Sequence, residues 1–357
     1  MSAPVLMVSS QFAQHLDFFD TASFEHLARV EGLLAQPHEM AWDDGRRLAY
    51  LTHTYRAGAY GEGKPKAHEL SVVDPDARAV VDVIDIAPYL APHDVEFDPV
   101  ADRIYTGVEL EDGRNGIVVI DAARREVVGN IPLDAPNAHW LCLTPDGARA
   151  YVAHKEAPVI SVVDLRAGRQ VAEIPSPGGA EEIDCSPDGR FVYAATPMMS
   201  LTVNVSQGRL TKRTPPPGTP TPRLLKIDTE REEVVGRFET HEYLSALRVA
   251  PDGRVLVTEF WFPAPDAVTP GPVPGRLDVV DPETMTLSAA IELDELPFTV
   301  RVSPDSTTAY VANLKTGSVS VVDLVENTVR ARLDNNIGPA FGGSHGMCLV
   351  PAGEAGR

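Results

Sequence analysis

The tightest constraint on this chain is a four-strand pattern that keeps returning. Residues 137–175 show it most clearly: an apolar run LCLT closed by the turn PDG, then RAYVA, then VISVVD, then QVAEIP. Pro, Asp and Gly supply the turn chemistry, and short runs rich in β-branched residues supply the strands. One such unit cannot bury both faces of its sheet, so it must be stacked against copies of itself. The ending of the third strand, two central residues followed by Asp, recurs at Asp20, Asp74, Asp121, Asp164, Asp228, Asp281 and Asp323. A four-strand unit repeating every ~40–50 residues is the signature of a β-propeller. The expected fold is therefore all-β, a seven-bladed propeller occupying residues 1–357 as a single domain. Residues 5–34 supply three strands and HGMCLVP near the C-terminus supplies one, so the seventh blade is expected to be closed by both ends of the chain.

Composition excludes several function classes. The net charge of −20 argues against nucleic-acid or anionic-membrane partners. The three cysteines, Cys142, Cys185 and Cys348, are scattered through apolar first strands and read as core residues. No basic leader or long apolar segment is seen at the N-terminus, and a cytoplasmic location is expected. Serine-hydrolase, kinase-like and dinucleotide-binding chemistry is not expected, on the reading that the chain carries no GxSxG elbow, P-loop or GxGxxG fingerprint.

The segments RAYVAHKEAPVISVVDL and TAYVANLKTGSVSVVDL resemble the YVTN-type repeats of seven-bladed propellers, a group that includes lactonase-like and streptogramin-lyase-like proteins. The resemblance implies the fold; function must come from the site. The fourth position of the signature varies around the ring, reading Ser10, His53, Val108, His154, Thr196, Glu259 and Asn313.

The long second-to-third strand connections, at residues 54–68, 197–223 and 260–275, all fall on one face. They carry Tyr55, Met198, Phe260, Trp261 and Phe262, which with Trp140 and Glu259 are candidates for lining a small-molecule site. On the same face, equivalent first-strand positions hold His38, His93, His139, His345 and Glu181. Rotationally equivalent residues point the same way, so these imidazoles are expected to converge on the channel and hold a divalent transition metal (Fe, Cu or Zn), with Glu181 as a fifth ligand or acid–base group. Glu39, Asp94 and Glu182 follow directly and are candidate acceptors that would fix the ring tautomers; adjacent side chains on a strand alternate in direction, which counts against these carboxylates as direct ligands. His53 and His154 are candidate proton shuttles, and Glu182 a candidate acid–base group. By architecture this resembles the four-histidine iron centre of carotenoid-cleaving oxygenases and the metal-dependent channel mouth of streptogramin B lyase. The expectation is metal-dependent oxidoreductase or lyase chemistry on a small organic molecule. The alternatives are a metal-free lactonase using Glu181 or Glu182 with His139, and a non-catalytic propeller that docks a protein partner.

Overall fold

The computed structural model describes residues 4–56, 65–109, 115–155, 157–197, 203–206, 209–212, 214–240, 243–260, 273–335 and 343–352. Met198, Trp261 and Phe262, three of the candidate lining residues, lie outside them. Seven four-stranded antiparallel sheets form a ring, and the described residues contain no helix. Blades 1 to 6 span residues 37–85, 92–132, 138–175, 183–239, 243–293 and 297–334. Blade 7 combines Val5–Ser10, His15–Asp20 and His26–Val30 with Ser344–Val350, which pairs with Val5–Ser10 as the innermost strand. The two ends of the chain thus close the ring, and among the described residues no helix is long and apolar enough to cross a membrane.

Each repeat builds its blade for local reasons. The aspartate ending the third strand accepts backbone N–H bonds from the turn behind it; Asp20 Oδ1 takes Ala22 at 2.8 Å and Ser23 at 2.7 Å. Asp74, Asp164 and Asp323 do likewise, a turn role for short acceptor side chains. Strand alternation then sends apolar residues to the interblade spaces. Tyr50, Leu70 and Val72 of blade 1, for example, pack against Val95, Ile104 and Val118 of blade 2. The core is therefore divided into seams between blades, each joining its neighbours around the axis.

One insertion differs from its sequence reading. Residues 197–223 look like a proline-stiffened loop, yet they contain an additional two-stranded hairpin, Val203–Ser206 with Arg209–Lys212. Alternating Val, Leu and polar residues there suffice for a short ribbon, and the proline run follows it.

Candidate functional site

The inner strands of blades 1, 2, 3 and 7 are each interrupted by a β-bulge on the face that bears the long connections. The register jumps between Pro37 and Met40, between Pro92 and Val95, between Ala138 and Leu141, and on the closing strand between Ser344 and Met347. His38, His93, His139 and His345 lie inside those four bulges. A bulge releases residues from the ladder and re-aims their side chains. Close approach is completed by Gly346, where a Cβ would stand 1.7 Å from the His38 carbonyl oxygen.

The four imidazoles meet. His38 Nε2 lies 2.8 Å from His93 Nε2, and His139 Nε2 lies 2.9 Å from the same atom. His345 stacks on His38 with ring centroids 4.1 Å apart. All four are buried. Burial, reinforced by neighbouring charge, pushes His38, His93 and His139 well below the usual histidine range, so they are neutral near pH 7. The His139 Nδ1–H donates to the Glu181 carbonyl oxygen at 2.9 Å, which leaves its Nε2 as a lone pair. His345 Nδ1 faces Glu39 Oε1 at 2.7 Å. Burial works against ionisation of Glu39, but His345, Arg301 and Arg248 outweigh it and hold the carboxyl below its ordinary range.

The nitrogens at the centre cannot be satisfied by one another. With His139 Nε2 fixed as an acceptor, the contacts among His38, His93 and His139 Nε2 leave one in-plane site on His93 to serve two neighbours. The Nδ1 atoms of His38 and His93 have no hydrogen-bond partner among the described residues. Among the described residues no group of three or more His, Cys, Asp or Glu stands in ready-made metal coordination.

The carboxylates behind the rings divide into two roles. Strict alternation would keep all of them away, but the bulges break it and Glu39 reaches His345. Asp94 and Glu182 instead serve the backbone of a following inner strand: Asp94 Oδ2 accepts from Leu141 N at 3.0 Å, and Glu182 Oε2 from Leu247 N at 2.7 Å. Burial raises both well above the carboxylate range.

Several other predicted residues are held by the fold. His53 Nδ1 donates to the Ala35 carbonyl oxygen at 3.2 Å, and its Nε2 accepts from Ser71 Oγ at 2.8 Å. His154 repeats this with Pro136 and Ser161, both at 2.8 Å. Both ring nitrogens are engaged in each case, so the expected shuttle role finds no open nitrogen. Glu259 Oε2 accepts from Arg276 at 2.8 Å, and Trp140 packs in the seam between blades 3 and 4 with its ring centroid 6.2 Å from that of His93 and 6.3 Å from that of His139. Phe260 packs with Leu296 and Leu314.

The sequence reading missed two residues and one motif. Glu109 and Lys155 follow the second strands of blades 2 and 3 and join Tyr55 of blade 1 in a buried cluster. Lys155 Nζ donates to Glu109 Oε1 and to Tyr55 Oη at 3.1 Å, and Tyr55 Oη donates to Glu109 Oε2 at 2.5 Å. The three residues come from the second-strand ends of blades 1, 2 and 3, the blades that also carry His38, His93 and His139, on the face bearing the imidazoles. All three residues stand at the end of their second strand or within two positions of it, a signal the sequence carried. Residues 342–346, GGSHG, also have G-x-S-x-G spacing, which corrects the expectation that nothing resembling a nucleophile elbow is present. Ser344 opens a β-strand instead of a strand-to-helix turn, and its Oγ donates to Asn335 Oδ1 at 2.7 Å, so it is not presented as a nucleophile.

The opposite end of the channel is different. A cleft of about 250 Å³ there is bordered by Glu96, Asp184, Arg248 and Cys142, without histidine.

No family model and no curated protein matches the chain. Solved structures do. Kuenenia stuttgartiensis hydrazine synthase superposes with a TM-score of 0.68 at 17% identity, covering 90% of this chain and 97% of that one. A functionally unknown protein from Desulfotomaculum acetoxidans DSM 771 gives 0.70 at 13% identity, covering 97% and 99%. The dihydro-heme d1 dehydrogenase NirN, in complex with DHE, gives 0.59 at 16% identity, covering 94% of this chain and 64% of that one. At these identities the likeness establishes the propeller fold.

Proposed function

We propose that this propeller is a metal-dependent enzyme whose imidazole cluster at the channel mouth binds a divalent transition metal and acts on a small organic molecule. The observation that carries the reading is the convergence of His38, His93 and His139 Nε2, three buried nitrogens that share too few protons to satisfy one another. One cation accepts all three lone pairs at once. Separations of 2.8 and 2.9 Å among these nitrogens are short enough for one ion such as Fe, Cu or Zn to be held by them together. His38, His93 and His139 would hold the ion, and His345, oriented by Glu39, adjoins them. A metal held by neutral imidazoles supplies Lewis acidity or one-electron chemistry.

The chain's own residues supply the surroundings. Burial keeps His38, His93 and His139 unprotonated, and Tyr55, Glu109 and Lys155 form a buried polar cluster at the second-strand ends of the same three blades. Structural neighbours named as a hydrazine synthase and a dihydro-heme d1 dehydrogenase are in keeping with redox catalysis on this fold.

Elemental analysis of protein purified without chelator, followed by titration with Fe(II) and Cu(II), tests the reading. Stoichiometric binding by the wild type and its loss in His93→Ala, with circular dichroism unchanged, is the expected result. Absence of uptake of either ion by the folded wild type sinks the proposal.

A further inference from the structure

The buried amine of Lys155 has no part in the metal reading, and its surroundings are those of a reactive lysine. Its side chain is 1% exposed and touches Glu109 and Tyr55. Lys66 donates to the backbone oxygen of Glu109, and its charge opposes a second ammonium at Lys155. An ion pair that only tied blades together could sit anywhere along a seam. This one gathers side chains from three successive blades at one point, on the face that bears the imidazoles.

We propose that Lys155 is a nucleophilic amine that captures a small aldehyde or ketone as an imine, with Glu109 and Tyr55 moving the protons. The inference rests on the mouth being a reaction site, as proposed above, and names its substrate class as a carbonyl compound; it does not require the metal.

The proton balance closes within the cluster. Lys155 passes a proton to Glu109, directly or through the Tyr55 hydroxyl that touches both, giving a neutral amine and a carboxylic acid with no change in total charge. Burial, with the charge of Lys66 nearby, lowers the affinity of Lys155 for its proton against the pull of Glu109 and Glu181. The Nζ lone pair then forms the C–N bond while the carbonyl π pair moves to oxygen. That oxygen takes the proton from Glu109, and the nitrogen returns one to the carboxylate. In the second step Glu109 protonates the hydroxyl, the C–O bond breaks, water leaves and the nitrogen lone pair forms C=N. The products are a protonated imine, a carboxylate and water, with the same total charge as the start.

Reductive trapping tests this on the full chain in the presence of EDTA. Wild-type protein is incubated with butanal, or separately with pyruvate, reduced with borohydride and mapped by peptide mass spectrometry. The expected result is an adduct on Lys155 in about tenfold excess over exposed lysines such as Lys315, with Glu109→Gln labelling more slowly by a similar factor. Lys155→Arg keeps the charge, folds, and loses the adduct. Labelling of Lys155 at or below the level of Lys315 with both probes overturns the inference. Because EDTA is present, this result does not depend on metal uptake, so the two proposals fail separately.

Discussion

Two histidines show how a residue can look functional and be structural. His53 and His154 replace the Asn of the repeat signature, and each bridges a carbonyl on one side to a serine hydroxyl on the other strand. Blade 6 solves the same problem with Asn313, which reaches Ser318 and Ser320 at 3.2 and 3.0 Å. Burial drives both histidines down to about 4, against weaker support from backbone carbonyls. A depressed value means that stability is fully present above the ordinary value near 6.5 and is lost as pH falls toward 4. At pH 5 each histidine is expected to cost about 2 kcal/mol relative to pH 8. Urea denaturation of wild type and of the His53→Asn, His154→Asn double variant checks this: the variant should lose markedly less stability over that interval. The sequence exposed the unusual position but not the serine partners, which come from the next strand of the same sheet.

At the scale of the strand, the decisive device is the bulge. A Pro-His or Ala-His pair opening a first strand was visible in the sequence, but the extra residue that turns the ring toward the axis was not. Regular alternation would have kept Glu39 away from the imidazoles, and the bulge brings it to His345 at 2.7 Å. Gly346 is part of the same device, since its missing Cβ lets the closing strand pass against the His38 carbonyl. Gly346→Ala should destabilise the protein by more than about 3 kcal/mol, because a buried backbone clash has no flexible side chain to absorb it. Thermal unfolding measures the loss. Substitution of Gly129, where a Cβ would meet nothing within 4 Å, is the matched control.

Ring closure operates on the whole molecule. Deleting residues 344–357 removes the inner strand of blade 7 and strips the partner from Val5–Ser10, so the truncated chain is expected to lose its cooperative transition. A circular permutant that begins at Ser344, joins residue 352 to residue 4 and ends at Asn335 keeps every blade intact and should melt as one unit. Near-UV circular dichroism on both chains separates the cases. The number of blades, their shared seventh member and the turn role of the aspartates were all written in the period of the sequence, because local turn chemistry and strand alternation repeat along the chain. The slots carrying His38, His93, His139 and His345 were written there as well. What only the tertiary structure decided is which of these atoms touch. Contact among Tyr55, Glu109 and Lys155, or among three Nε2 atoms, depends on the angle between neighbouring sheets and on bulges that break alternation, and no local pattern of residues encodes either.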